Sequence, residues 1–349
     1  MSSAVTYKCP NCGAGLIFDA EKQLFACEFC LSDFSEDELK EREGAANEDE
    51  KENADFSSEV KAYHCTSCGA EVVTDKSTVA DFCYYCHNPV VIEDRVSGLI
   101  KPSKIIPFKF GKEQAKEEFL RYAKKKWFLP NDYFSPKQTD KMQGVYYPFW
   151  VVDSDTSATL NATGKKVRTW RSGNYRYTET STFAVSRRGS IRFEDITTSA
   201  ISTEDRDMLE GILPYPADEH IDFSMPYLQG FIAKKRDLES EALSASVRGK
   251  MESYAQTLLS DTVHGYTSVS GKQTTLQIKN SKWDYTLMPV WVLNYQRKGK
   301  TYTYAMNGST GKIYGELPTS GKKLAILGAI VGAAVALLTI LSGWAVLFG

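Results

Sequence analysis

The chain has 349 residues, with 42 Lys and Arg, 44 Asp and Glu, 8 cysteines and 4 histidines. Every cysteine lies in a Cys-x-x-Cys pair, which excludes a free-thiol nucleophile and reserves the thiols for metal. The balanced charge averages two unlike parts: residues 1–98 hold 8 basic and 20 acidic side chains, residues 99–349 hold 34 and 24.

In chain order the first element is a cysteine quartet, Cys9, Cys12, Cys27 and Cys30, whose two pairs enclose Gly13 to Ala26. A second quartet, Cys65, Cys68, Cys83 and Cys86, encloses Gly69 to Phe82 with the same spacing. A shift of 56 residues also superimposes Tyr7 on Tyr63, Gly13-Ala14 on Gly69-Ala70 and Asp19 on Asp75. Four soft thiolates at this spacing predict a closed tetrahedral site, so two structural zinc ions and no metal catalysis. Glycine directly after a Cys pair suits the positive φ of a zinc knuckle. Short strands are expected at Leu16–Phe18, Gln23–Phe25, Val72–Thr74 and Val79–Asp81. The alternative is disulfide pairing in an exported protein, which the topology of the tail disfavours.

These features predict zinc ribbon one over 1–43, an acidic linker over 44–60 and zinc ribbon two over 61–96, with a short helix at Glu36–Arg42. Each ribbon is too small for a hydrophobic core of its own, so the two are expected to be independent, metal-held beads. Ribbon one, Tyr7 to Glu38, holds two basic and seven acidic residues, and ribbon two, Lys61 to Arg95, holds three and five. Neither has the basic footprint of a phosphate binder, so protein contact is expected and nucleic acid is disfavoured. Phe18, Phe25, Phe29, Tyr84 and Tyr85 either serve that contact or fill the ribbon cores.

Residues 97–318 are expected to form an α+β domain built on antiparallel sheet. Helices are predicted at Lys112–Leu129, Glu204–Ile212, Met225–Lys235 and Glu239–Leu259. Tyr146 to Val152 reads as a buried strand, followed by hairpins turning near Ser172-Gly173-Asn174 and Arg188-Gly189, with further strands from Tyr266 to Tyr314. Met288-Pro289-Val290-Trp291-Val292 echoes Tyr147-Pro148-Phe149-Trp150-Val151 at an offset of 141, marking two related β-units or a chance similarity. A basic cluster, Lys165, Lys166, Arg168, Arg171, Arg176, Arg187, Arg188 and Arg192, is interspersed with Trp170, Tyr175, Tyr177 and Phe183. It reads as a solvated hairpin face, a contact for anionic lipid headgroups or a single-stranded nucleic-acid contact.

After a tether at 319–323, residues 324–348 are uncharged and predict one C-terminal transmembrane helix. Lys322 and Lys323 precede it, and Met1 to Lys8 lacks the apolar run of a signal peptide. The expectation is a single-pass, tail-anchored protein with its N-terminal bulk in the cytoplasm, where thiolates stay reduced. Gly328, Gly332 and Ala336 share one helical face and suggest a homodimer contact.

No phosphate-cradling loop is present: Gly299-Lys300-Thr301 has Asn294 where the first glycine belongs. There is also no His-Glu-x-x-His and no Gly-x-Ser-x-Gly.

Tyr7-Lys8-Cys9-Pro10-Asn11-Cys12-Gly13 and Phe82-Cys83-Tyr84-Tyr85-Cys86-His87-Asn88-Pro89 resemble motifs of bacterial membrane proteins labelled as transcription factor IIB-type zinc-ribbon proteins. The likeness continues through Lys126-Trp127-Phe128, Val167 to Gly173 and Ala305-Met306-Asn307-Gly308. It implies zinc in the ribbons and no settled biochemical role. Some members carry a primosomal-helicase label, which does not transfer to a chain without a nucleotide-binding loop. The expected function is a non-catalytic zinc-ribbon adaptor recruiting a protein to the membrane. The alternatives are a tethered nucleic-acid-binding regulator and an enzyme with its site in the central domain.

Overall fold

A computed structural model describes the backbone of residues 3–5, 8–43, 60–65, 71–75, 78–82, 89–92, 101–130, 136–202, 206–297, 300–315 and 317–348. Side chains are described over 8–39, at 90, and over 101–130, 138–202, 206–295, 300, 302–315 and 317–337. The frame is a mixed sheet of thirteen strands, with a separate three-stranded sheet in the first ribbon.

Two long antiparallel strands, β10 (Gln143–Ser172) and β14 (Ser268–Arg297), lie side by side at its centre. Each is extended by a hairpin partner: β11 (Tyr175–Ser199) on β10 and β15 (Lys300–Asn307) on β14. Both faces of this centre are covered, which is why Tyr146 to Val152 is continuously apolar where a one-sided strand would alternate. On one face Tyr146, Trp150, Leu287 and Trp291 pack with Phe119 of α2 (Lys112–Lys124). On the other, Val145, Tyr147, Phe149, Val151, Met288 and Val290 pack under Met208 and Leu209 of α4 (Arg206–Gly211). Farther out, Ala158, Leu160 and Leu276 lie beneath Val247, Met251, Ala255 and Leu259 of α5 (Ser240–Ser260). The buried residues of α2 and α5 recur every fourth position, the spacing that sets one helical face against a sheet.

The two halves around the β10–β14 seam match element by element. β9 (Lys104–Ile105), preceding α2, runs parallel to Thr286–Leu287 of β14, and β13 (Ile232–Lys234), preceding α5, runs parallel to Val145–Tyr146 of β10. Each half therefore lends its short strand to the other half's long one. The hydrogen bonds repeat as well. The Trp150 indole donates to Leu238 O at 2.9 Å, and the Trp291 indole donates to Phe110 O at 2.9 Å. Ala200 N–H donates to Pro148 O at 2.9 Å, and Gly308 N–H donates to Pro289 O at 2.8 Å. Tyr147 pairs directly with Met288, the residue that echoes it in sequence, so a local two-fold passes between them.

Several expectations are corrected here. The sheet is mixed rather than antiparallel, because the exchanged strands and the pairing of β1 (Ser3–Val5) with β5 (Val60–Cys65) are parallel. Residues 225–235 form a 3₁₀ turn at Met225–Leu228 and then β13, not a helix, since pairing with β10 outweighs local propensity. One hairpin replaces two: Gly189 lies within β11, opposite Ala158, and the turn is at Gly173. α2 stops at Lys124, which leaves Trp127 exposed beyond its end.

The fold class predicted for the tail is also overturned. α6 runs from Gly321 to Phe348, with its described side chains ending at Leu337. Among the described residues no helix is long and apolar enough to cross a membrane. The transmembrane, tail-anchored and single-pass assignments are not supported. The predicted tether is packed rather than free: Ser320 N–H donates to Phe128 O and Lys323 Nζ to Leu129 O, both at 2.7 Å.

Candidate metal centre

Ribbon one contains β2 (Ile17–Asp19), β3 (Leu24–Ala26) and β4 (Asp33–Phe34), in that order in one antiparallel sheet, followed by α1 (Glu36–Glu43). Two knuckles lie at the end of this sheet. In the first, Gly13 N–H donates to Cys9 O at 2.8 Å and Cys9 N–H to Ala14 O at 2.6 Å. In the second, Leu31 N–H donates to Cys27 O and Cys27 N–H to Ser32 O, both at 2.9 Å. The Asn11 amide donates to Ser32 Oγ at 3.0 Å and ties the two turns together.

This geometry gathers the four thiols. Their sulfurs lie within 4.8 Å of one another, with Cys9–Cys30 and Cys12–Cys27 at 3.5 Å. Sulfurs about 2.3 Å from a tetrahedral ion stand roughly 3.8 Å apart, so the cradle fits a metal with little movement. These four cysteines can hold a metal ion. The Ser32 hydroxyl lowers the Cys30 thiol to about 6, and the neighbouring thiols contribute in the same direction. Cys12 is raised to about 12: its Ala14 hydrogen bond pulls it down, but desolvation and three adjacent thiols outweigh that. Without a cation, four thiolates cannot share this space, so metal entry must release protons.

Ribbon one is not an independent bead. Tyr227 lies against Phe18 at 4.9 Å and Phe25 at 5.3 Å between ring centroids, and its hydroxyl meets Glu36 Oε2 at 3.0 Å. Phe18 N–H donates to Gln229 O at 3.1 Å. Gln23 has a φ of 56°, and its amide bridges Ala20 O and Phe108 O, both at 2.6 Å. The ribbon core and the central core are therefore continuous. The expectation of free beads assumed a ribbon with nothing to lean on, whereas Tyr227, two hundred residues away, supplies that surface.

The second quartet lies outside the described residues, apart from the backbone of Cys65 at the end of β5. The flanking strands do repeat ribbon one at the offset of 56: β6 (Glu71–Asp75), β7 (Thr78–Phe82) and β8 (Pro89–Ile92) answer β2, β3 and β4. The register of the second pair repeats too, since Phe25↔Phe34 and Ala26↔Asp33 become Asp81↔Val90 and Phe82↔Pro89, whereas β6 pairs with β5 where β2 pairs with β3. β7 pairs with β13, which joins this module to the main sheet.

Of the expected ribbon contacts, Phe18 and Phe25 are buried and Phe29 is 81% exposed; Leu31, which the sequence did not single out, is 84% exposed. Tyr84 and Tyr85 lie outside the described residues. The basic cluster is divided by strand alternation. Lys165, Arg171, Arg176, Arg188 and Arg192 share one face of the β10–β11 hairpin; Lys166, Arg168 and Arg187 share the other. Arg192 pairs with Glu194 at 2.9 Å. The lipid-headgroup assignment depended on a membrane tether and loses that support with it. A Cβ on Gly328 or Gly332 would meet nothing within 4 Å, and Ala336 lies farther along the same helix.

A group the sequence did not reveal collects around the β-bulge after Val152. Asp195, with a φ of 57°, donates its N–H to Asp153 Oδ1 at 3.0 Å. Burial raises the Asp195 carboxyl above its ordinary value and pushes His220 below its own, while the two attract each other. Its members come from separate segments, so no spacing could have disclosed them.

No family model matches the chain, and no solved structure does. Over 322 residues it is 32% identical to the "Uncharacterized protein YdjG" of Bacillus subtilis (strain 168), an alignment covering 92% of each chain. The chain therefore belongs to the same family as YdjG.

Proposed function

We propose that this protein is a non-catalytic zinc-ribbon adaptor whose first ribbon captures a protein partner through the exposed turn at Cys27–Leu31. Zinc is the ion proposed for Cys9, Cys12, Cys27 and Cys30, and a second for Cys65, Cys68, Cys83 and Cys86. The all-thiolate donor set and the resemblance to zinc-ribbon proteins support this choice. Zinc in a four-thiolate shell holds the fold and presents no open position for substrate.

The observation that carries the reading is the contrast between the two knuckles. Gly13 takes a φ of 75° at no steric cost, but the equivalent position holds Leu31 at a φ of 59°. A leucine there costs about 1 kcal/mol. Gln23 offsets a similar strain with two side-chain hydrogen bonds, whereas Leu31 is almost wholly exposed beside exposed Phe29. A strained leucine beside a second solvent-facing apolar side chain on a hydrogen-bonded turn is the arrangement of a contact surface. Glu28 directly precedes Phe29 and the ribbon is acidic, so the fitting partner is an apolar groove with a basic rim.

A photo-crosslinking residue placed at position 29 of the full chain in cells tests this. A discrete adduct that disappears with Leu31→Asp, and is absent when the probe is at exposed Tyr254, supports the adaptor. Identical patterns at positions 29 and 254 refute it.

A further inference from the structure

β14 accompanies β10 only as far as Lys165, which pairs with Ser268. Beyond that point Lys166–Ser172 and Tyr175–Ser181 continue as a two-stranded arm, roughly 23 Å long at about 3.3 Å per residue. Almost every side chain on it is exposed, on both faces. One face carries Lys166 and Arg168 with Trp170 and Tyr177, whose rings stack at 5.7 Å and 15°. The other carries Lys165, Arg171 and Arg176 among threonines. Glu179 is the sole acid between Lys165 and Phe183.

The tip is electrostatically unfavourable by itself. Arg171 and Arg176 stand directly opposite one another, and among the described residues neither forms an ion pair. Like charges in cross-strand register destabilise a hairpin by some tenths of a kcal/mol. The stacked Trp170–Tyr177 pair stiffens the arm just behind that tip. A rigid ribbon with cations on both faces is poorly used against a flat surface, which meets one face only. It suits a cleft with anionic walls on either side. A major groove about 12 Å wide admits a two-stranded ribbon and offers phosphates on both flanks.

The geometry points to the 165–183 arm as a binding site for duplex nucleic acid, with Lys165, Lys166, Arg168, Arg171 and Arg176 contacting phosphates. This surface is separate from the ribbon knuckle, so either assignment can fail without the other. Five phosphate contacts give a slope of about −4.5 in log K against log salt, or roughly a 500-fold loss between 50 and 200 mM.

The test uses the zinc-loaded full chain, a labelled mixed-sequence DNA duplex of 20 base pairs, and fluorescence anisotropy across a KCl titration. Phosphatidylglycerol vesicles are run in parallel by co-sedimentation. The expected result is steeply salt-dependent duplex binding, with Arg171→Gln/Arg176→Gln lowering the slope by about two and weakening binding at least tenfold at 100 mM. Glu179→Gln should tighten it, a gain that misfolding cannot produce. Duplex affinity unchanged in both variants overturns the proposal, as does binding to the vesicles with none to the duplex.

Discussion

Exchanging the residues at the two left-handed knuckle positions should move zinc retention in opposite directions. Leu31 is 84% exposed with a φ of 59°, so Leu31→Gly removes little buried surface and relieves about 1 kcal/mol of backbone strain. Glycine's extra freedom in the unfolded chain takes back part of that gain, leaving about 0.5 kcal/mol, or roughly a twofold tighter site. At Gly13, with a φ of 75°, a Cβ would meet no atom within 4 Å, so the cost of Gly13→Ala is conformational rather than steric. That cost is about 1 kcal/mol, or roughly fivefold weaker zinc retention. Competition against a chromophoric chelator at fixed pH measures both. The double variant should lie between the singles, near wild type. If Leu31→Gly weakens retention as much as Gly13→Ala does, Leu31 is not strained and the argument for a selected contact residue collapses.

Zinc affinity should rise with pH, because metal entry displaces protons from thiols that stay protonated without it; chelator competition should show at least a tenfold gain from pH 6 to 7.5, and a flat profile would exclude thiolate ligation. Tyr227→Ala should cost about 3–4 kcal/mol, as it removes a buried ring wedged against Phe18 and Phe25, and should raise amide exchange in β2 and β3 together. Tyr227→Phe should cost about 1 kcal/mol through the Glu36 contact alone; denaturant titration distinguishes the two, and a neutral alanine variant would mean the ribbon is undocked. Trp150→Phe and Trp291→Phe should each cost about 1–3 kcal/mol by stranding a carbonyl. Trp150 should be the costlier, because the Arg236 guanidinium also lies 4.9 Å from its ring; a neutral Trp291→Phe would break the two-fold equivalence.

Local chemistry carried what the sequence determined by itself. A knuckle is closed by bonds within six residues, so the spacing of Cys9, Cys12, Cys27 and Cys30 was enough to place four thiols around one point. The repeating apolar positions Ala115, Phe119 and Ala123 marked the buried face of α2, and Gly173, with a φ of 58°, marked the hairpin turn. The apolar tail forecast a helix, and α6 is one, but a helical propensity says nothing of what surrounds it. Tertiary structure decided everything that depends on partners distant in the chain. Tyr227 docks the ribbon, β9 and β13 change places between the two halves, and the strand at 232–234 displaces an expected helix. It also turned one basic stretch into two faces of an arm, since alternation along paired strands, not proximity in sequence, determines which charges act together.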